Sequence, residues 1–162
     1  MSTKTTRRGR IRAAAAGLCA ILLAACGPIR LTITGGRCLN APMEDCTHAG
    51  DPLEVSKAAD LRIYQLTGPV DLQLLDYQAL LREECPVLDR VARSHQDVTI
   101  LPGETVSVQL PEEDKIRYLL FFFQGREQGG ERTWLRLVKV PRLKRQMTVE
   151  LSGFSVSVTG RR

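Results

Sequence analysis

The side chains able to do covalent or metal chemistry are few: five cysteines and two histidines in 162 residues. Cys38, Cys46 and Cys85 lie in the body of the chain, whereas Cys19 and Cys26 belong to its first 26 residues. In an oxidising compartment three thiols give one disulfide and one sulfur left over. Pairing Cys38 with Cys46 closes a short loop and stabilises by about 2.5 kcal/mol in the chain-entropy picture. Either pairing with Cys85 contributes somewhat more but requires the fold to join distant segments, so the spacing favours Cys38 with Cys46 and leaves Cys85 a buried thiol. A zinc site from Cys38, Cys46 and His48 is the poorer reading, because structural zinc uses four ligands and cysteines two to four residues apart. His48 and His95 both sit in polar, turn-like sequence. Glu83-Glu84 and Glu112-Glu113-Asp114 put adjacent carboxylates on different sides, as solvated surface does. Gly-x-Ser-x-Gly, His-Glu-x-x-His and a phosphate-cradling glycine loop are missing. No convergent acid, base and nucleophile can be assembled, so the sequence reads as a non-enzyme with no metal, no cofactor and no small-molecule substrate.

Cys26 has the most defined chemical setting. Residues 1–12 are polar and basic, Ala13 to Leu23 form an apolar run, and Leu23-Ala24-Ala25-Cys26 closes it with small side chains. At about 1.5 Å per residue such a helix reaches only about half of a 30 Å hydrocarbon core. The layout is that of a cleaved secretory leader. The tetrapeptide resembles a bacterial lipobox, which implies cutting after residue 25 and a diacylglycerol thioether on the Cys26 sulfur; a plain secreted protein is the alternative. Each buried methylene contributes about 0.8 kcal/mol, so the several acyl chains of a bacterial lipoprotein give lasting attachment. Gly27 stands where the enteric inner-membrane retention signal has Asp, which by that resemblance implies the outer membrane, on its periplasmic face. Arg7-Arg8 is followed by Gly9-Arg10 rather than a hydrophobic residue, leaving ordinary export as the default.

The charge agrees with this division. The chain carries 23 Lys plus Arg against 18 Asp plus Glu, but Lys4, Arg7, Arg8, Arg10 and Arg12 all precede Cys26, and without them the balance is 18 to 18. A nucleic-acid binder keeps its basic excess on the folded face, where it neutralises phosphates; none is expected here. The expected organisation is a signal peptide over 1–25, a lipidated tether over 26–28 and one domain over 29–162, long enough to bury about two thirds of its unfolded surface.

That domain must position whatever contacts the protein makes. Ile29, Leu31 and Ile33 alternate with polar residues as in a half-buried strand, which Gly35-Gly36 should end. Residues 37–57 read as a long loop, and long loops are usually functional. Asp60 to Leu66 reads as a second strand. Leu74, Tyr77, Leu80 and Leu81 predict one amphipathic helix over Leu72 to Glu84, limited by Pro86. Further strands are expected at Leu88 to Ala92, Val98 to Leu101, Thr105 to Leu110, Arg117 to Phe123, Thr133 to Val140, Met147 to Leu151 and Phe154 to Val158. Short strands near ten-residue spacing with one inserted helix imply a mainly β protein, a β-sandwich. Leu119 to Phe123 lacks alternation, so that strand should be covered on both faces, the second by the helix. A ligand-stacking use of the Phe triplet is the alternative. Trp134 reads as core or as an exposed anchor, core being the commoner case.

The order of these features resembles a known family: a lipobox, one strand, Leu39-Asn40 opening a loop, Arg62-Ile63-Tyr64-Gln65-Leu66, a short helix with Asp76-Tyr77 and Leu80-Leu81, Leu101-Pro102-Gly103-Glu104, an apolar strand, and Trp134 with Arg136. It is similar to the outer-membrane lipoproteins of the type VI secretion system, the TssJ (VasD/SciN-like) family, over nearly all of the chain after Cys26. The resemblance implies a transthyretin-like β-sandwich, tethered by lipid under the outer membrane and binding the periplasmic domain of the inner-membrane component TssM. The family's contact loop corresponds to residues 35–59, which nominates Leu39, Asn40, Ala41, Pro42, Met43, Glu44, Asp45 and Asp51. This chain departs from the pattern by extra residues carrying Cys38 and Cys46, and by Leu135 where Arg is common. A disulfide across that loop would lower the entropy lost on binding. A periplasmic ligand-binding or inhibitor lipoprotein is the rival, and it requires an exposed aromatic cluster or a sizeable pocket.

Overall fold

The computed structural model describes residues 27–48, 50–125, 132–140 and 146–160. The leader and Cys26, with its expected lipid, lie outside the described residues. Two four-stranded sheets face each other. One has the order β4-β1-β7-β8 and the other β3-β2-β5-β6, where β1 is Arg30–Leu39, β2 Ala59–Leu66, β3 Ala92–Ile100, β4 Thr105–Gln109, β5 Tyr118–Gln124, β6 Leu135–Lys139, β7 Gln146–Gly153 and β8 Ser155–Gly160. All neighbours are antiparallel except β1 and β7. The expected sandwich of transthyretin type is present, and strand alternation made it: Leu31 and Ile33 of β1 and Met147, Val149 and Leu151 of β7 are buried while their neighbours are not.

The second sheet is buried on both faces. Register places Leu61 beside Phe123 and Ile63 beside Phe121 on one face, and Arg62 beside Phe122 and Tyr64 beside Leu120 on the other. Leu119 to Phe123 are all fully buried, because a helical layer from the β2–β3 connection covers the outer face, as the missing alternation required. Tyr77 of that layer meets Phe122 edge-on at 5.4 Å and Trp134 at 5.0 Å between ring centroids. Such T-shaped contacts add about 0.5–1.5 kcal/mol each beyond area burial. Trp134 is thus a core residue and the Phe triplet is packing.

Three expectations change. The single helix over 72–84 is a 3₁₀ turn at Leu72–Leu74 followed by a short helix at Tyr77–Leu81. Asp71 and Asp76 each cap a start, accepting from the Gln73 and Ala79 amides, so the second cap interrupts what periodicity joined. Leu74 and Leu81 are exposed in consequence, Tyr77 and Leu80 are buried as the spacing required, and Leu75 is buried in addition. Leu88 to Ala92 is no strand: Pro86 opens a one-turn helix, Pro86–Asp89, and β3 begins at Ala92. Gly35-Gly36 does not end β1, which passes through an irregularity there and pairs again at Leu39 with Gly153.

Gly35 also receives the β3–β4 turn. Pro102-Gly103, with Gly103 at φ 76°, folds as a type II turn whose Gly103 amide donates to the Gly35 carbonyl at 3.0 Å, while the Gly35 amide donates to Glu104 at 2.9 Å. A Cβ on Gly35 would meet the Leu101 carbonyl at 2.5 Å. Gly35→Ala should therefore destabilise by about 1–3 kcal/mol, read as a lower urea midpoint with an unchanged slope.

Candidate functional site

Strand directions give the sandwich two unlike ends. Residues 27–29 enter β1 at one end, together with the starts of β3, β5 and β7. At the other end, about 30 Å away along the ten residues of β1, lie the β1–β2 connection, the Leu101 to Glu104 turn and the β7–β8 turn. The β1–β2 connection is not the plain loop its composition suggested. It holds two short helices, α1 at Met43–His48 and α2 at Pro52–Val55. Pro52 and an Asp51 side chain that accepts from the Leu53 amide at 3.0 Å start the second.

The structure sorts the nominated contact residues. Leu39 and Ala41 are buried. Asn40 turns the chain at φ 51°, a conformation Asn tolerates, with its amide donating to Gly153 and its side chain to the Ala58 carbonyl, both at 2.9 Å. Pro42 is half-buried, and Met43, Glu44, Asp45 and Asp51 are exposed. Three large apolar side chains stand in solvent on this rim: Met43 at 56%, Leu53 at 45% and Leu101 at 54% exposure. Leu53 and Leu101 were not singled out by sequence reasoning; each sits in a polar or turn-rich stretch where periodicity carries no signal.

Cys38, Cys46 and Cys85 are free thiols in the structure, so the expected disulfide is not formed there. Burial first, then the neighbouring Cys38, raises the Cys46 thiol to about 11. Among the described residues no group of three or more His, Cys, Asp or Glu is arranged to hold a metal.

Sequence reasoning also missed a charge cluster on the helix-covered face. Arg62, only 6% exposed, holds Asp97 through Nε at 2.7 Å and Nη2 at 2.8 Å, contacts Glu83 Oε1 at 3.0 Å and donates from Nη1 to the Leu80 carbonyl at 3.3 Å. The Asp97 hydrogen bond raises the guanidinium's affinity for its proton, and Arg62 in turn lowers the Asp97 carboxyl below its ordinary value. Glu83, read as solvated surface, sits at φ 60° in a Schellman ending of the Tyr77–Leu81 helix, with the Glu84 amide donating to Ala79 and the Glu83 amide to Leu80. Its carboxylate also lies 3.9 Å from His95, whose ring packs on Tyr64 at 5.5 Å. A signal was available in Arg62, a charged residue flanked by Leu61 and Ile63 in the middle of a strand. The cluster fastens the helical layer to the sheet. Most of the Arg62-Ile63-Tyr64-Gln65-Leu66 string is therefore architecture, and Gln65 likewise bonds Ser94 and Pro111, both at 3.0 Å.

Two open grooves, of about 470 and 350 Å³, occur among the described residues. The first lies across the polar outer face of β1, β4 and β7 without an aromatic, and the second has Tyr64 as its one phenol or phenyl ring. Neither carries an exposed aromatic cluster, one of the two features by which the ligand-binding rival is recognised.

The described residues thus form a two-sheet sandwich with a helical layer on one face and three of the five large exposed apolar side chains, Met43, Leu53 and Leu101, on one rim. The chain belongs to the type VI secretion lipoproteins: the family described as "Type VI secretion lipoprotein, VasD, EvfM, TssJ, VC_A0113" matches residues 30–153. Membership in a family of secretion lipoproteins places it with structural components and not with enzymes. No curated protein matches the sequence significantly. Among solved structures, the lipoprotein TssJ1 from Pseudomonas aeruginosa is similar at 20% identity and TM-score 0.65, covering 84% of this chain and 98% of that one. A chain in the structure described as "T6SS protein TssM C-terminal domain (869-1107) from EAEC" is similar at 23% identity and TM-score 0.64, covering 81% and 99%. Serratia marcescens Lip, a membrane-bound component of the same secretion system, matches at 14% identity and TM-score 0.62, covering 81% and 96%. These likenesses show the shared fold.

The Arg62 cluster makes a titration prediction. Asp97 has a depressed carboxyl, so its contribution is fully present above its unfolded pKa near 3.8 and is lost as pH falls through the lower folded value. Because Asp97 is half exposed and Glu83 retains Arg62, Asp97→Asn should cost about 1–2 kcal/mol at pH 7. That gap to the parent protein should close below about pH 4, measured by urea unfolding across pH.

Proposed function

We propose that the protein is the outer-membrane lipoprotein of a type VI secretion membrane complex, anchored by lipid on Cys26 and holding the periplasmic domain of inner-membrane TssM. The observation that carries this reading is the placement of Met43, Leu53 and Leu101 on the rim farthest from residues 27–29. A lipid at one end and an apolar rim at the other give a rigid spacer that presents its contacts away from the bilayer. Burying such side chains against a partner supplies the central apolar contacts that dominate most interfaces. The nominated contact set becomes Asn40, Pro42, Met43, Glu44, Asp45 and Asp51, joined by Leu53 and Leu101. Leu39 and Ala41 serve the set from beneath. Further support comes from the likeness of this chain, over 81% of its length, to a chain in the structure described as the TssM C-terminal domain (869-1107).

Met43→Asp combined with Leu53→Asp should weaken binding of the TssM periplasmic domain at least about tenfold, equivalent to about 1.4 kcal/mol or more, with circular dichroism and Tm unchanged. Undiminished affinity in calorimetry would reject this rim as the contact. Separately, Cys26→Ser should give a folded protein that leaves the outer-membrane fraction. Retention of that variant on membranes in high salt would count against lipid anchoring.

A further inference from the structure

The chain is fixed from Ile29 onward, which is buried and whose carbonyl accepts from the Leu110 amide at 2.9 Å. Only Gly27 and Pro28 separate it from Cys26, so Cys26 lies within about 11 Å of the folded body even when that tether is fully extended. Register then sets Arg30 between Gln109 of β4 and Gln146 of β7, and Thr32 between Ser107 and Thr148, on the outer face of that sheet. These two rungs line the groove of about 470 Å³. Arg30, Thr32, Ser107, Gln109 and Gln146 are exposed and Thr148 is half-buried. The groove thus offers one cation, two amides and three hydroxyls, with no carboxylate in its lining. Among the described residues Arg30 forms no salt bridge. Glu112, Glu113 and Asp114 follow β4 at this end but lie on the connection to β5, outside the groove. Glu150 enters the outer face one rung farther from the tether, opposite Thr34.

We infer that this groove takes the headgroup of an anionic phospholipid from the leaflet that holds the anchor. Tether length, charge and donor spacing select that occupant. The headgroup layer of a bilayer is roughly 5–8 Å deep on each side, so a tether of at most about 11 Å keeps the Arg30 rung at or just above the phosphates. The guanidinium is a planar fork that binds phosphate through paired, charge-assisted hydrogen bonds. Gln109 and Gln146 flank it with amide donors for the remaining phosphate oxygens. The hydroxyls of Thr32, Ser107 and Thr148 stand about 6.8 Å farther along the strands, within reach of the hydroxyls of a glycerol headgroup. Beyond them the Glu150 carboxylate repels phosphate and confines the contact to the end of the sheet. The contact adds a second, short-range hold to the anchor and decides which sheet of the sandwich leans on the bilayer. The choice of occupant rests on the proposed lipid on Cys26, whereas the donor set does not.

The test has two arms. In the first, the unacylated Cys26→Ser protein is titrated with monomeric dihexanoylphosphatidylglycerol and followed by amide NMR. Saturable shifts are expected at Arg30, Thr32, Ser107, Gln109, Gln146 and Thr148. Adding Arg30→Gln should weaken the apparent affinity at least about tenfold at unchanged Tm, while Lys57→Gln, exposed at the opposite end, should leave it as it was. Inorganic phosphate spans one rung only, so its shifts should be smaller and confined to Arg30, Gln109 and Gln146. In the second arm the acylated protein sits in nanodiscs of phosphatidylethanolamine and phosphatidylglycerol with a trace of gadolinium-chelating headgroup lipid. Arg30 and Gln146 should be broadened more than Ala92 and Tyr118, which begin β3 and β5 at the same end of the other sheet. Absent or unsaturable groove shifts, an affinity that survives Arg30→Gln, a phosphate response equal to that of the lipid, or equal broadening of both sheets would overturn the proposal. If the acylation itself fails, the nanodisc arm shows no broadening anywhere, and the titration, which contains no acylated protein, still decides the groove.

Discussion

The two-sided burial of β2 and β5 is the constraint on which the rest of the structure depends. A strand such as Leu119 to Phe123, fully buried along its length, leaves no face for water. Its outer side has to be sealed by something other than the opposing sheet. The β2–β3 connection does this with short, capped helical pieces whose Tyr77, Leu80 and Leu88 reach inward. Backbone polarity is handled at the same time, because each brief helix has its own Asp or Pro start and leaves few amides unpaired.

Arg62 belongs to the same solution. Placing a guanidinium under a helical lid is costly unless every donor finds an acceptor. Here Asp97 from the edge strand, Glu83 from the helix terminus and the Leu80 carbonyl accept from four of its five N–H groups. The ion pair therefore records where the lid sits on the sheet, and the left-handed Glu83, a conformation costly for a side chain other than glycine, is held by the same contact. Conserving this geometry would conserve the fold whatever the rim binds.

The unlike ends follow from strand direction. A chain that enters β1 at residues 27–29 must turn at the opposite end, so the connection that follows β1 lies at the end farthest from those residues. The Leu101 to Glu104 turn joins it there because β3 and β4 run toward and away from that same end, and Gly35 lets the turn dock against β1. Local turn chemistry thus assembles a composite rim from segments distant in sequence.

The division between what was legible and what was not is physical. Period-two alternation in β1 and β7, the unbroken apolar run of β5 and turn residues at Pro102-Gly103 are local patterns, and they sufficed for a mainly β sandwich with a covered sheet. The order of motifs sufficed for the family. Periodicity failed at Leu72 to Glu84, where Asp76 as a cap outweighed the spacing of leucines, and at Leu88, where Pro86 opened a turn of helix. It also could not separate Leu39 and Ala41, which plug the core, from Met43, which does not: burial at a strand end depends on what lies across it. The sequence by itself determined the sheet faces, the leader pattern and the closeness of Cys38 to Cys46 along the chain. Only the tertiary structure decided that Arg62 would find Asp97 and Glu83, that Leu53 and Leu101 would share a rim, and that Ser56 would reach back to the Arg37 carbonyl in β1, because each joins segments whose approach is set by the packing of both sheets.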